Sequence, residues 1–128
     1  MPPMIKLTYC LRRKPGMTWE EFSNYWRDVH APLVKARAEM LGIKRYQQVR
    51  TVQDPSLHAR LQERNGGSPE PFDGIAELWY DPAERGAGGE AARQAGRELL
   101  EDERNFIDLP NSPIWYGEEW EVVGEAGH

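Results

Sequence analysis

Between Ile5 and Leu11 the chain alternates. Ile5, Leu7, Tyr9 and Leu11 share one parity, and Lys6, Thr8 and Cys10 share the other, the period of a strand with one apolar face. Arg12-Arg13-Lys14-Pro15-Gly16 follows as a basic loop with a Pro-Gly turn. Thr18-Trp19-Glu20-Glu21 is a capping box and predicts a helix start. Phe22, Trp26, Val29 and Leu33 then recur at helical spacing and predict its buried stripe. Pro32 interrupts that stripe and, lacking an amide proton, predicts a kink near Asp28 to Ala31. The helix resumes through Met40 and stops at Gly42, a left-handed cap. Ile43 to Val52 reads as a second strand and Ile75 to Tyr80 as a third. The long connection between them, Asp54 to Pro71, has room for a short helix from Ser56 to Arg64. A second long helix begins near Gly89, with Ala92, Ala95, Leu99 and Phe106 on one side. Ile114 to Val123 reads as a fourth strand, and 124–128 as a frayed tail.

The order β-α-β-β-α-β, with no helix between strands two and three, predicts a ferredoxin-like α+β fold with a four-stranded antiparallel sheet. It is read as one domain over 1–128, with its core at about 4–123 and an insert at 54–71. Two helices cover only one face of such a sheet. The other face carries Trp and Tyr, and an uncovered apolar face marks an interface, so a homodimer joined sheet to sheet is expected.

Composition narrows the function. Of 128 residues, 16 are Lys or Arg and 21 Asp or Glu, a net charge of −5. That acidity excludes a general nucleic-acid binder, which needs a basic footprint, and argues against docking on an anionic membrane. The single cysteine, Cys10, cannot form an internal disulfide. Met1 to Lys6 lacks the basic-then-apolar layout of a signal peptide, and no apolar run approaches the roughly 18–20 residues needed to span a bilayer. A cytoplasmic protein is expected.

Metal-ligand spacing is missing from the three histidines, His30, His58 and His128, and neither a metal nor a cofactor is expected. Gly86 to Ala91 matches a dinucleotide-binding pattern only loosely and reads as a flexible entry to the second long helix. Two residues are candidates for acid–base chemistry. His30 lies toward the core just before the proline kink, either as a histidine anchoring the turn or as a base aimed at a cavity. Asp102 sits at the edge of an apolar stripe, flanked by Glu103, either reaching solvent or an arginine or acting as acid or base. Glu77 alternates with Ile75 and Trp79 and is expected in an apolar layer, where an acid needs a partner. Tyr9, Tyr46 and Trp79 are candidates to line a cavity.

The run Leu11 to Phe22, then Tyr25-Trp26 and His30-Ala31-Pro32-Leu33-Val34, resembles EthD-domain proteins. So do Asp73 to Asp81 and Asp102 to Asp108, and the likeness spans roughly Met4 to Val123. The resemblance implies a dimeric α+β barrel with its pocket between sheet and helices. It implies a cofactor-free enzyme, of dehydratase, cyclase or decarboxylase type, working on a hydrophobic aromatic or polyketide-like small molecule. His30 and Asp102 would be catalytic, and Tyr9, Tyr46, Trp26, Glu77, Trp79 and Phe106 would contact substrate. Two other readings stand beside it: a non-catalytic binding protein of a degradative pathway, and a cofactor-free oxygenase of phenols or anthrones. Many EthD-domain proteins carry a histidine where Arg50 stands here, so a mechanism that uses it is closed to this chain. The 54–71 insert is long enough to serve as a lid.

Overall fold

A computed structural model describes residues 4–84 and 87–124. It contains β1 (Ile5–Leu11), α1 (Trp19–Tyr25), α2 (Ala31–Leu41), β2 (Ile43–Arg50), α3 (Pro55–Arg64), β3 (Gly74–Tyr80), α4 (Gly89–Glu103) and β4 (Ile114–Glu118). The strands form one sheet in the order β2-β3-β1-β4, and every pair is antiparallel. This is the ferredoxin-like arrangement expected from the sequence.

The capping box forms as read. The Glu21 amide donates to Thr18 Oγ1 at 3.1 Å, and the Thr18 amide donates to Glu21 Oε1 at 2.8 Å. The proline produces a change of helical register. Trp26–His30 is a π-turn between α1 and α2, and the Ala31 amide donates to the Trp26 carbonyl five residues back. Pro32 has no amide to continue an α ladder, and its ring would crowd the carbonyl four residues before it; a widened turn relieves both. The turn also rotates the face of the helix. Phe22, Trp26, His30 and Val34 form one buried line, with Ser23 buried beside it, whereas Val29, expected in the stripe, is 43% exposed. An inserted residue turns i+3 partners outward and keeps i+4 partners on the core line. Gly42 ends α2 with φ 73, the left-handed cap the sequence called for.

Tyr9 pairs with Ala76, and Tyr46 with Leu78. Leu7, Tyr9, Leu11, Ala76, Leu78, Tyr46 and Gln48 therefore share the face beneath the helices. The opposite face is more polar than expected. Lys6 pairs with Glu77, and the Arg45 guanidinium lies 4.4 Å from the centre of the Trp79 ring. The alternation of Ile75, Glu77 and Trp79 is real, but their parity is that of Lys6, not Tyr9.

β4 stops at Glu118, short of the predicted Val123. Trp120 beyond it is 91% exposed. The region expected to fray is described only to Gly124, and residues 125–128 lie outside the described residues, as do Arg85 and Gly86 of the glycine-rich stretch. The 54–71 insert holds α3, which buries no residue. No helix among the described residues is long and apolar enough to cross a membrane.

Gly74 starts β3 directly under Trp26. A Cβ there would meet Trp26 Cζ3 at 2.6 Å and Cη2 at 2.9 Å. Gly74→Ala should therefore push the indole out of place and lower stability by about 1–3 kcal/mol. A denaturant titration with an unshifted midpoint would show that the contact is not limiting.

Candidate active site

A cavity of about 200 Å³ lies between the sheet and the helices. Leu7, Leu11, Ile43, Leu78 and Leu99 supply apolar walls, and Tyr9, His30, Tyr46, Tyr80 and Glu103 bring polar atoms to it. No lysine or arginine lines it among the described residues.

His30 lies one helical step beyond Trp26, and the π-turn aligns it with Trp26 on the core line, where it reaches the cavity. Its Nδ1 is 2.8 Å from Asp102 Oδ2. The other carboxylate oxygen, Oδ1, accepts from the Tyr25 hydroxyl at 2.6 Å and from Asn105 Nδ2 at 3.4 Å. Phe106 packs behind the imidazole with ring centres 5.0 Å apart. Among the described residues no buried side-chain nitrogen or oxygen lacks a partner. His30 Nε2 has none, so it opens onto the cavity that His30 lines. Burial lowers the His30 pKa despite the raising influence of Asp102. Burial alone would raise Asp102, but donation from Tyr25, His30 and Asn105 brings it below its ordinary value. The neutral imidazole thus donates Nδ1–H to a carboxylate and turns a basic Nε2 inward.

A second pair stands at the sheet side. The Tyr9 hydroxyl donates to Glu103 Oε1 at 2.9 Å. Burial, opposed by the Tyr9 hydrogen bond and reinforced by the nearby Asp102 charge, pushes the Glu103 carboxyl up to about 7. On β2, the Tyr46 hydroxyl accepts from Gln48 Nε2 at 2.8 Å, which leaves its own proton to donate. Gln48 Nε2 also donates to the Trp26 carbonyl at 3.0 Å, bracing the π-turn against the sheet.

The structure brings together most of the residues singled out in the sequence. His30, Tyr9, Tyr46 and Trp26 line the cavity. Asp102 and Phe106 stand behind His30 rather than in the cavity wall. Glu77 and Trp79 lie on the far face of the sheet and cannot reach it, because each strand residue alternates sides. Tyr25, Asn105 and Gln48 were not singled out, and Glu103 only as a neighbour of Asp102. A capped helix start marks Tyr25, but only the tertiary fold shows that it meets Asp102 across 77 positions. Arg50 has a structural place: its Nε donates to Ser23 Oγ at 2.8 Å, and its guanidinium stacks 4.8 Å from the centre of the Trp26 ring.

A wider crevice of about 720 Å³ lies beside α3, away from this cavity. Of its two arginines, Arg13 is answered by Asp73 at 3.5 Å and Arg12 stacks 4.3 Å from the centre of the Phe72 ring. No residue of 54–71 lines the helix–sheet cavity, so the insert does not cover it.

Comparison with known proteins matches this arrangement to a family. Two solved structures share the fold: an EthD family protein from Bacillus halodurans C-125 (TM-score 0.59, 22% identity, 91% of this chain and 99% of that one), and an EthD-like protein from Ralstonia eutropha JMP134 (TM-score 0.56, 21% identity, 100% of both). Among curated relatives, decarboxylase nsrE of Aspergillus novofumigatus (strain IBT 16806) is 28% identical over 123 residues, covering 94% of this chain and 82% of its own length. Dehydratase ustZ of Ustilaginoidea virens is 26% identical over 106 residues, covering 82% of this chain and 76% of its own length. The EthD domain model matches residues 14–110, and the chain belongs to the EthD family.

Proposed function

We propose that this protein is a cofactor-independent lyase that removes carbon dioxide or water from a hydrophobic, aromatic or polyketide-like small molecule. The observation that carries this reading is the Asp102–His30 pair, with Nε2 turned into an apolar cavity. His30 takes a proton from a C–H or hydroxyl conjugated with a carbonyl. Tyr46 donates to the oxygen on which charge develops, a contribution of about 3–4 kcal/mol for a well-placed oxyanion donor. Tyr9, whose proton is committed to Glu103, does not share that task. Asp102 fixes the tautomer, and Tyr25 and Asn105 fix Asp102. The names of the relatives, decarboxylase and dehydratase, support elimination over oxygenation or simple binding. The protein is further proposed to act as a cytoplasmic homodimer joined through the sheet face that carries Trp79 and Trp115.

A panel of hydroxylated aryl carboxylic acids and aryl β-hydroxy ketones, followed by product analysis, tests the reading. His30→Ala should fold normally and lose turnover by about two orders of magnitude or more. Turnover equal to wild type would remove His30 from the chemistry. Saturable tryptophan quenching without product from the wild-type protein would instead establish a binder.

Asp102→Asn should cost a comparable factor. The amide can donate to Nδ1 and force the proton onto Nε2, which abolishes the base. The rate in wild type should rise with pH through a midpoint below 6.5, because burial lowers His30 from that value and only the neutral ring accepts a proton. A rising limb well above 6.5 would contradict this assignment.

A further inference from the structure

We infer that Glu103, positioned by Tyr9, is the proton donor of the cavity and works opposite His30. The inference rests on the lyase reading and adds the second catalytic group. Three observations carry it. Glu103 lines the same cavity as His30. Its Oε1 accepts the Tyr9 hydroxyl proton, which orients the carboxyl group and leaves Oε2 as the oxygen that can carry an acid proton. Oε2 makes no hydrogen bond to any described residue, and no buried oxygen among those residues is without a partner, so Oε2 opens onto cavity space.

The charges around Glu103 keep that proton in place. Tyr9 approaches from β1, and Tyr46 from β2 and Tyr80 from β3 lie within its electrostatic reach. His30, neutral at pH 7, faces the cavity from the π-turn, and Asp102 precedes Glu103 on α4. None of these supplies a positive charge at neutral pH, and no ion pair forms to the Glu103 carboxylate among the described residues. The Glu103 carboxyl, pushed up to about 7, therefore keeps its proton in about half of the molecules at neutral pH, where an ordinary glutamate is ionised.

The proton accounting closes for both eliminations. For a phenolic acid, His30 removes the phenol proton, Glu103 protonates the ring carbon that bears the carboxylate, and the C–C bond to that carboxylate breaks to release carbon dioxide. The phenolate formed on rearomatisation takes back the proton from His30, and Glu103 is reprotonated from solvent. For a β-hydroxy ketone, His30 removes the α-proton, the C–O bond breaks, and the hydroxyl leaves as water with the proton of Glu103. His30 then returns its proton to solvent and Glu103 regains one.

The test is Glu103→Gln, which keeps an oxygen for Tyr9 but carries no transferable proton, with His30→Ala in parallel. Two readouts are used: turnover of the aryl acid and β-hydroxy ketone panel against pH, and 13C NMR titration of δ-13C-labelled glutamate, with the variant assigning the Glu103 resonance. The expected results are a Glu103 midpoint near 7 and at least a tenfold loss of turnover in Glu103→Gln. The wild-type rate should fall as pH rises through about 7, and that falling limb should be absent from Glu103→Gln. A Glu103 midpoint in the ordinary glutamate range, or wild-type turnover in Glu103→Gln, overturns the inference. Loss of turnover in His30→Ala alone would leave the lyase reading standing without Glu103. Full turnover in His30→Ala would overturn the reading itself, and so would a wild-type protein that converts nothing on the panel.

Discussion

The missing amide proton of Pro32 is the constraint on which the site depends. A helix passing through Trp26 to Val34 in α geometry would carry Val29 and His30 on either side of the Trp26 line and share the core between them. The π-turn instead places Phe22, Trp26, His30 and Val34 in one buried line. A π-turn is less favourable than an α turn on its own, and here the sheet holds it. Gln48 reaches up to the Trp26 carbonyl, and Arg50 clamps Ser23 while stacking on the Trp26 ring. Gly74 leaves the space in which that ring sits. The geometry of one turn and the packing of two strands are therefore one arrangement, and its product is an imidazole at a fixed depth.

At the end of α4 a second constraint operates. Asp102 and Glu103 are consecutive, so on a helix they point about 100° apart. One faces the π-turn and the other faces the sheet. Asp102 finds three donors and is held below its ordinary pKa, whereas Glu103 finds one tyrosine and is pushed up by burial. Both sit in the last turn, where the unsatisfied carbonyls of the helix disfavour negative charge. Only the residue with enough donors overcomes that field. Two acids of nearly equal intrinsic strength thus separate into a carboxylate that orients a base and a carboxyl that ionises only near neutral pH, the pattern by which acid–base roles are divided in enzyme sites.

The strands, apart from the end of β4, and the capping box and glycine cap were legible because each has a local signature: period two, Thr-x-x-Glu, a glycine after the last helical turn. His30 and Asp102 were legible as polar residues on apolar stripes. Glu77 and Trp79 were misplaced for a specific reason. Alternation shows which residues of a strand share a face, but not which face meets the helices. That choice depends on register against β1, where Trp79 pairs with Lys6 and not with Tyr9 or its parity. The stripe through Val29 failed because helical spacing assumes 3.6 residues per turn, and one wide turn breaks the count. Tyr25, Asn105 and Gln48 were invisible because their partners are fixed by tertiary contact, and nothing within a few residues of each marks it as different from a surface polar group.

The balance of the cavity explains why its few polar atoms can be decisive. With about 200 Å³ enclosed mainly by aliphatic and aromatic side chains, it has room for a small ring system and little bulk water. Such a site is at the small end for ligand pockets, which commonly run from about 300 Å³ upward. Ile114, which lines the cavity, is itself about half exposed. In this low-dielectric space a hydrogen bond to a developing enolate or phenolate is worth more than in water. An imidazole without a nearby cation stays basic, and a carboxyl without one stays protonated. Adding a lysine or arginine to this wall would collapse the difference between His30 and Glu103, so the lack of a cationic lining residue among the described residues is as much a part of its chemistry as the groups that line it.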